Sequence, residues 1–194
     1  MSIANWLTLT RLFIGPLFFL AYSEYAKFGI APTTAPFILL FLWCIAELTD
    51  SLDGFIARRY NQVTNLGKIL DPMADSIYRT SALLTFTQGP VSINLLLIFV
   101  FLYRDSMIGT LRTICALKGF ALAARQSGKY KAVIQAVVIL LVILLLIPYT
   151  HGLLSAETLY LASTVLVAIA AAYSIFSGYD YFQANKQYIQ KMMV

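Results

Sequence analysis

The chain has 194 residues, 60% of them hydrophobic and 12% charged, with a mean hydropathy of +0.77. Soluble domains carry about a quarter of their residues as charges, so this composition excludes an ordinary soluble domain and is that of a polytopic membrane protein. The net charge of +5 calls for no nucleic-acid partner, because basic residues beside apolar spans suit membrane lipid headgroups and phosphate substrates.

At roughly 20 residues per span the length holds about six spans and their loops, in one domain over residues 1–194. The expected fold is all-α, with six transmembrane helices plus a short N-terminal interfacial helix. Residues 2–11, SIANWLTLTR, are amphipathic and carry Trp6 at a position suited to headgroup level; they form the interfacial helix in this reading. The first span then runs from about Leu12 to Phe28. Arg11 within the periodic run, and the lack of a small-residue cleavage site, speak against a removed signal peptide. The second span begins near Pro36 and closes at Arg58 and Arg59. Residues 60–68 are read as the turn to the third span, about Ile69 to Thr87, with Gly67 there for a positive φ or a close backbone approach. Pro72 is expected to tilt the start of that span.

The fourth span, about Ile93 to Leu117, is apolar apart from Arg104, Asp105 and Arg112. Ions at membrane depth are candidate binding groups. Arg104 and Arg112 are slightly over two turns apart, so both can face one cavity and bind an anion; alternatively Arg104 neutralises an acid and Arg112 reaches for the interface. Residues 118–131 are read as a basic connection to the fifth span, about Ala132 to Pro148. Lys129 and Lys131 stand at that membrane edge as headgroup anchors or anion ligands. His151 falls in an exposed loop, the sixth span covers about Thr158 to Phe176, and the remainder reads as an interfacial helix. Cys44 and Cys115 lie in apolar stretches and suit core packing, not a disulfide. Basic residues gather at one set of span ends, with Lys27 alone at the other, which places both termini and the acids described next at the cytoplasmic face of the membrane.

The chemistry concentrates between Asp50 and Asp75, DSLDGFIARRYNQVTNLGKILDPMAD. Asp50 and Asp53 are three apart and Asp71 and Asp75 four apart, so each pair lies on one face of its helix. Two facing pairs crowd four negative charges, which requires protons or cations. With no Cys or His nearby the donors are all oxygen, a set that suits Mg2+, Mn2+ or Ca2+ and not zinc or copper. Two metals about 3.5–4 Å apart can clamp an in-line phosphoryl displacement, and Arg58 can hold a phosphate beside them. Glu47, three residues before Asp50, either supports the acids or pairs with Arg79 or Arg104. The blander alternative is a set of acids in a solvated loop or salt-bridge network.

The spacing D-x2-D-G-x2-A-R-x8-G-x3-D-x3-D is filled at every fixed position, by Asp50, Asp53, Gly54, Ala57, Arg58, Gly67, Asp71 and Asp75. It resembles the signature of the CDP-alcohol phosphotransferase family. The resemblance implies an integral-membrane enzyme with two divalent cations, Mg2+ or Mn2+, that moves a phosphoryl-linked group from a CDP-activated donor to an alcohol and releases CMP. By that analogy Asp50, Asp53, Asp71 and Asp75 hold the metals, and Asp75 also serves as general base. Asp50, Asp53, Gly54, Ala57, Arg58 and Gly67 line the donor site. Two further elements, Asn5-x-Leu7-Thr8-x-x-Arg11 and Gly128-Lys129-x-Lys131 with Gln135, resemble the phosphatidylglycerophosphate synthase branch; Ala132 and Ser76 depart from its usual Thr and Lys. That branch implies CDP-diacylglycerol as donor, sn-glycerol 3-phosphate as acceptor at Arg104, Arg112, Lys129 and Lys131, and a homodimer. Inositol phosphate, phosphatidylglycerol or serine are alternative acceptors. A cation transporter using the acids is the alternative from another class, although no second half of the chain repeats the motif.

Overall fold

The computed structural model describes residues 3–59, 65–117, 125–187 and 189; within its helices the side chains of residues 3–5, 53–58, 65, 66, 68, 69 and 116 lie outside that description. The apolar runs fold as α1 (Ile3–Ser23), α2 (Ala35–Arg59), α3 (Asn65–Thr85), α4 (Leu95–Leu117), α5 (Gln126–Thr150) and α6 (Ala156–Ala184), with a 3-10 turn at Tyr25–Phe28 after α1. Among the described residues there is no strand. Among the described residues four helices, α1, α2, α5 and α6, hold a stretch long and apolar enough to cross a membrane, that of α2 being Ala35–Leu52. Large apolar side chains also cover the outside: Phe13, Phe41, Leu96 and Leu161 are each more than half exposed. A surface of that kind is sustained by lipid, not water, and the chain is a multi-pass membrane protein.

Helix α1 packs against α2 and α3, and α6 against α4 and α5; contacts of α2 with α5 and of α3 with α4 join the two groups. Phe18, Phe86, Phe101, Ile139, Val142 and Val167 are fully buried between them. Phe86 meets the rings of Phe18 and Tyr22 edge-on, at centroid distances of 5.7 and 5.6 Å. The Tyr22 hydroxyl donates to the Gln88 carbonyl at 2.9 Å and accepts from the Val91 amide at 3.3 Å, which pins the end of α1 to the turn after α3. Gly89 in that turn has φ +62°, and a Cβ there would stand 3.0 Å from the Tyr22 hydroxyl, so both backbone and space require glycine.

Four expected boundaries move. The expected interfacial segment is not a separate helix: α1 runs unbroken from Ile3 to Ser23, with buried Thr8 bonded to Asp71 on α3 and buried Arg11 to Asp50 on α2. Gly67 lies inside α3, which starts at Asn65, and it is not among the residues with positive φ. Helix α5 starts at Gln126, so Lys129 and Lys131 are helical; its first turn is fixed by Arg125 on Asp180 at 2.8 Å and by Ser127 on the same carboxylate at 2.5 Å. The first part of the expected terminal interfacial helix belongs to α6, which continues to Ala184 because Ser177, Gly178 and Tyr181 are buried against α4. At α1, α5 and α6 polar residues extend the helix by finding partners on a neighbouring helix, which one-dimensional hydropathy does not register.

Candidate active site

Successive helices run in opposite directions, so the first halves of α1, α3 and α5 share one end of the bundle with the second halves of α2, α4 and α6. This end holds the buried polar side chains Thr8, Arg11, Arg79, Lys131, Gln135 and Ser177. Arg11 Nη1 donates to Asp50 Oδ1 on α2 at 2.5 Å and to Asp75 Oδ1 on α3. One guanidinium nitrogen thereby brings carboxylates from two helices to one point. Arg79, one turn after Asp75, faces the other oxygens: Nη2 is 3.6 Å from Asp50 Oδ2 and 3.4 Å from Glu47 Oε2, and Nη1 is 3.9 Å from Asp75 Oδ2. The two readings of Glu47 therefore coincide, since it pairs with Arg79 and through Arg79 with the acids. Asp71 accepts from Thr8 Oγ1 at 2.7 Å. The side chains of Asp53, Gly54, Ala57 and Arg58 lie outside the described residues, though all four positions are in α2.

The donor chemistry fits a hard divalent cation. Among the described side chains four carboxylates, Glu47, Asp50, Asp71 and Asp75, accompany two guanidiniums, so negative charge is in excess there, and the donors are all oxygen. Among the described residues no three acids, histidines or cysteines are gathered closely enough to hold a metal by themselves; Asp53, placed on α2 one turn from Asp50, is the fourth member of the expected set.

Next to the acids lies a basic group built on α4. Arg104 Nη1 is 3.0 Å from Asp105 Oδ1, and Nη2 donates to Ser177 Oγ on α6 at 2.7 Å. Lys131 Nζ on α5 donates to Asp105 Oδ2 at 2.6 Å. Arg112 donates through Nε to the Tyr181 hydroxyl at 3.3 Å and lies over that ring, 5.3 Å from its centroid. Three of the four expected acceptor residues are thus directed inward. Lys129 is exposed; two residues before buried Lys131, it falls on the opposite side of α5. If Arg112 has the expected acceptor role, Arg112→Lys should raise the acceptor KM several-fold despite keeping the charge, because its flat guanidinium is held by stacking on Tyr181 and donating to it; steady-state kinetics with varied acceptor will measure this.

A family model described as CDP-alcohol phosphatidyltransferase matches residues 1–176. The chain belongs to this family. It is 30% identical over 190 residues, 95% of each chain, to the CDP-diacylglycerol--glycerol-3-phosphate 3-phosphatidyltransferase of Bacillus subtilis (strain 168). It is 31% identical over 195 residues, 96% of this chain and 98% of the relative, to the protein of that name from Rickettsia typhi (strain ATCC VR-144 / Wilmington). The Aquifex aeolicus (strain VF5) protein of the same name is 38% identical over 108 residues, 54% of each chain.

The fold brings to this candidate site several residues that the acid motif does not include. Arg11, expected at the basic span ends and in the Asn5-x-Leu7-Thr8-x-x-Arg11 element, has a side chain that is 1% exposed and lies among the acids. A signal existed: Thr8 and Arg11 are one turn apart on one helix face, inside an otherwise apolar run. Ser76, Ser177 and Tyr181 gave no such signal, because a hydroxyl on a helix is compatible with either a buried or an exposed face.

Proposed function

We propose that this enzyme transfers the phosphatidyl group of CDP-diacylglycerol to sn-glycerol 3-phosphate, releasing CMP. The observation that carries the reading is the adjacency of two opposite sites at one end of the bundle. Asp50 and Asp75 meet at Arg11, and Ser76, the next residue after Asp75, donates to Asp105 at 2.8 Å within the basic group. An acidic cation site thus adjoins a basic anion site, as joining a cation-bound diphosphate to an anionic alcohol requires. The names of the relatives over nearly the whole chain support the same donor and acceptor.

In this reading Asp50, Asp53, Asp71 and Asp75 hold two divalent cations, Mg2+ or Mn2+, which when bound offset the charge of the donor diphosphate and of departing CMP. Gly54, Ala57, Arg58 and Gly67 line the donor site. Asp75 takes the proton of the acceptor hydroxyl as its oxygen attacks the β-phosphorus; the new P–O bond forms there while the bond to CMP breaks. Arg104, Arg112 and Lys131 bind the acceptor phosphate, with Lys129 nearer the surface. One domain of residues 1–194 would cross the inner membrane six times, the start of α1 reaching the interface, as a homodimer with both termini and the site at the cytoplasmic face.

Purified protein in mixed micelles with CDP-diacylglycerol and Mn2+ is expected to release CMP when glycerol 3-phosphate is added and to form phosphatidylglycerophosphate in competition with inositol phosphate or serine. Dominant product from either competitor would reject the acceptor, and no CMP release with any alcohol would reject the reaction.

A further inference from the structure

Asp105 has no task in the reaction as proposed, yet it is the most connected polar side chain of the basic group. Its carboxylate is 8% exposed, and it takes Lys131 Nζ at 2.6 Å and Ser76 Oγ at 2.8 Å on Oδ2 and Arg104 Nη1 at 3.0 Å on Oδ1. These contacts tie α3, α4 and α5 together, and Arg104 extends them to Ser177 on α6. Two features separate this arrangement from an ordinary buried ion pair. Two cations share one carboxylate, so positive charge stays in excess. In addition, Arg104 Nε and Gln135 Nε2, one turn on from Lys131, are buried donors with no hydrogen-bond partner among the described residues. Buried donors are nearly always satisfied, and a pair left over beside excess positive charge suits the oxygens of a small anion.

We infer that Asp105 is a positioning residue for the acceptor: it holds Arg104 and Lys131 where they meet the acceptor's anionic group and, through Ser76, sets that group's place relative to Asp75. The inference rests on the proposed function and deepens it. Long Arg and Lys side chains carry much rotamer freedom, and an anion site made of them binds well only if their geometry is fixed beforehand.

The sign of one substitution separates positioning from simple charge compensation. If Asp105 only neutralised its neighbours, Asp105→Asn would release two cations and tighten acceptor binding. Positioning demands the reverse, a rise in acceptor KM of about tenfold or more, the worth of a lost charge-assisted hydrogen bond, with the KM for CDP-diacylglycerol within about twofold. Asp105→Glu, which keeps the charge, is expected to recover part of the loss. Ser76→Ala leaves both ion pairs and cuts only the link to the Asp75 turn; it is expected to lower kcat about tenfold with little change in acceptor KM. This second variant decides the matter if Asp105→Asn does not fold. An acceptor KM that falls or stays level in folded Asp105→Asn, or an unchanged kcat in Ser76→Ala, overturns the inference while leaving the proposed function standing. Unaltered enzyme that releases no CMP with any alcohol removes the basis of both.

Discussion

Asp50→Asn is expected to lose at least about 10³-fold in turnover and to bind Mn2+ too weakly to saturate, while remaining folded. The amide keeps the shape of the carboxylate but not its charge, and a hard divalent cation depends on anionic oxygen ligands. Folding is expected to survive because Asp50 is about one-third exposed and Arg11 and Arg79 retain Asp75 and Glu47 as partners. The contrast is Asp75→Asn. A general base contributes about 10²–10⁴-fold to rate, so in the proposed role of Asp75 this variant is expected to lose turnover and still retain metal-dependent binding of the CDP-lipid. Calorimetric titration of Mn2+ and of the donor into each purified variant makes the comparison. Near-normal activity of Asp50→Asn at saturating Mn2+ removes Asp50 from the metal ligands, and donor binding lost equally in both makes Asp75 chiefly a ligand.

The second large effect is expected at Arg11. A basic residue anchored to lipid headgroups tolerates alanine within about 0.5 kcal/mol. Arg11 is instead buried and joins Asp50 to Asp75, and losing its charged hydrogen bonds to these partly exposed carboxylates costs about 2 kcal/mol. Arg11→Ala is therefore expected to lower the unfolding temperature markedly. It is also expected to reduce kcat by about 10²-fold, because carboxylates from two helices lose the nitrogen that sets their separation and small misplacements at a reacting centre are costly. Nη1 by itself reaches both carboxylates, so Arg11→Lys, whose one ammonium can in part replace it, is expected to fall between the native protein and the alanine variant. Thermal unfolding in detergent together with CMP release will test this. An alanine variant with native stability and native turnover would return Arg11 to the role of lipid anchor.

The motif from Asp50 to Asp75 was legible because its chemistry is local: spacings of three and four put each acid pair on one helix face, and all-oxygen donors limit the metals. The helices were legible as apolar runs, and the limits of α2 and α4 lie within about two residues of the sequence reading. The errors lay where polar residues prolong a helix, at the starts of α1, α3 and α5 and the end of α6.

The sequence by itself determined the membrane class, the all-helical architecture, the acid motif and, through that motif, the family, because each depends on composition or on spacing along one helix. Only the tertiary structure decided that Arg11 lies between Asp50 and Asp75, that Glu47 acts through Arg79, that Lys131 and not Lys129 turns inward, and that Asp105 gathers Ser76, Arg104 and Lys131. An arginine near a helix end satisfies its charge equally well in lipid headgroups or on a distant carboxylate, and periodicity is identical in the two cases. What distinguishes them is which helix packs alongside, a property of the folded bundle.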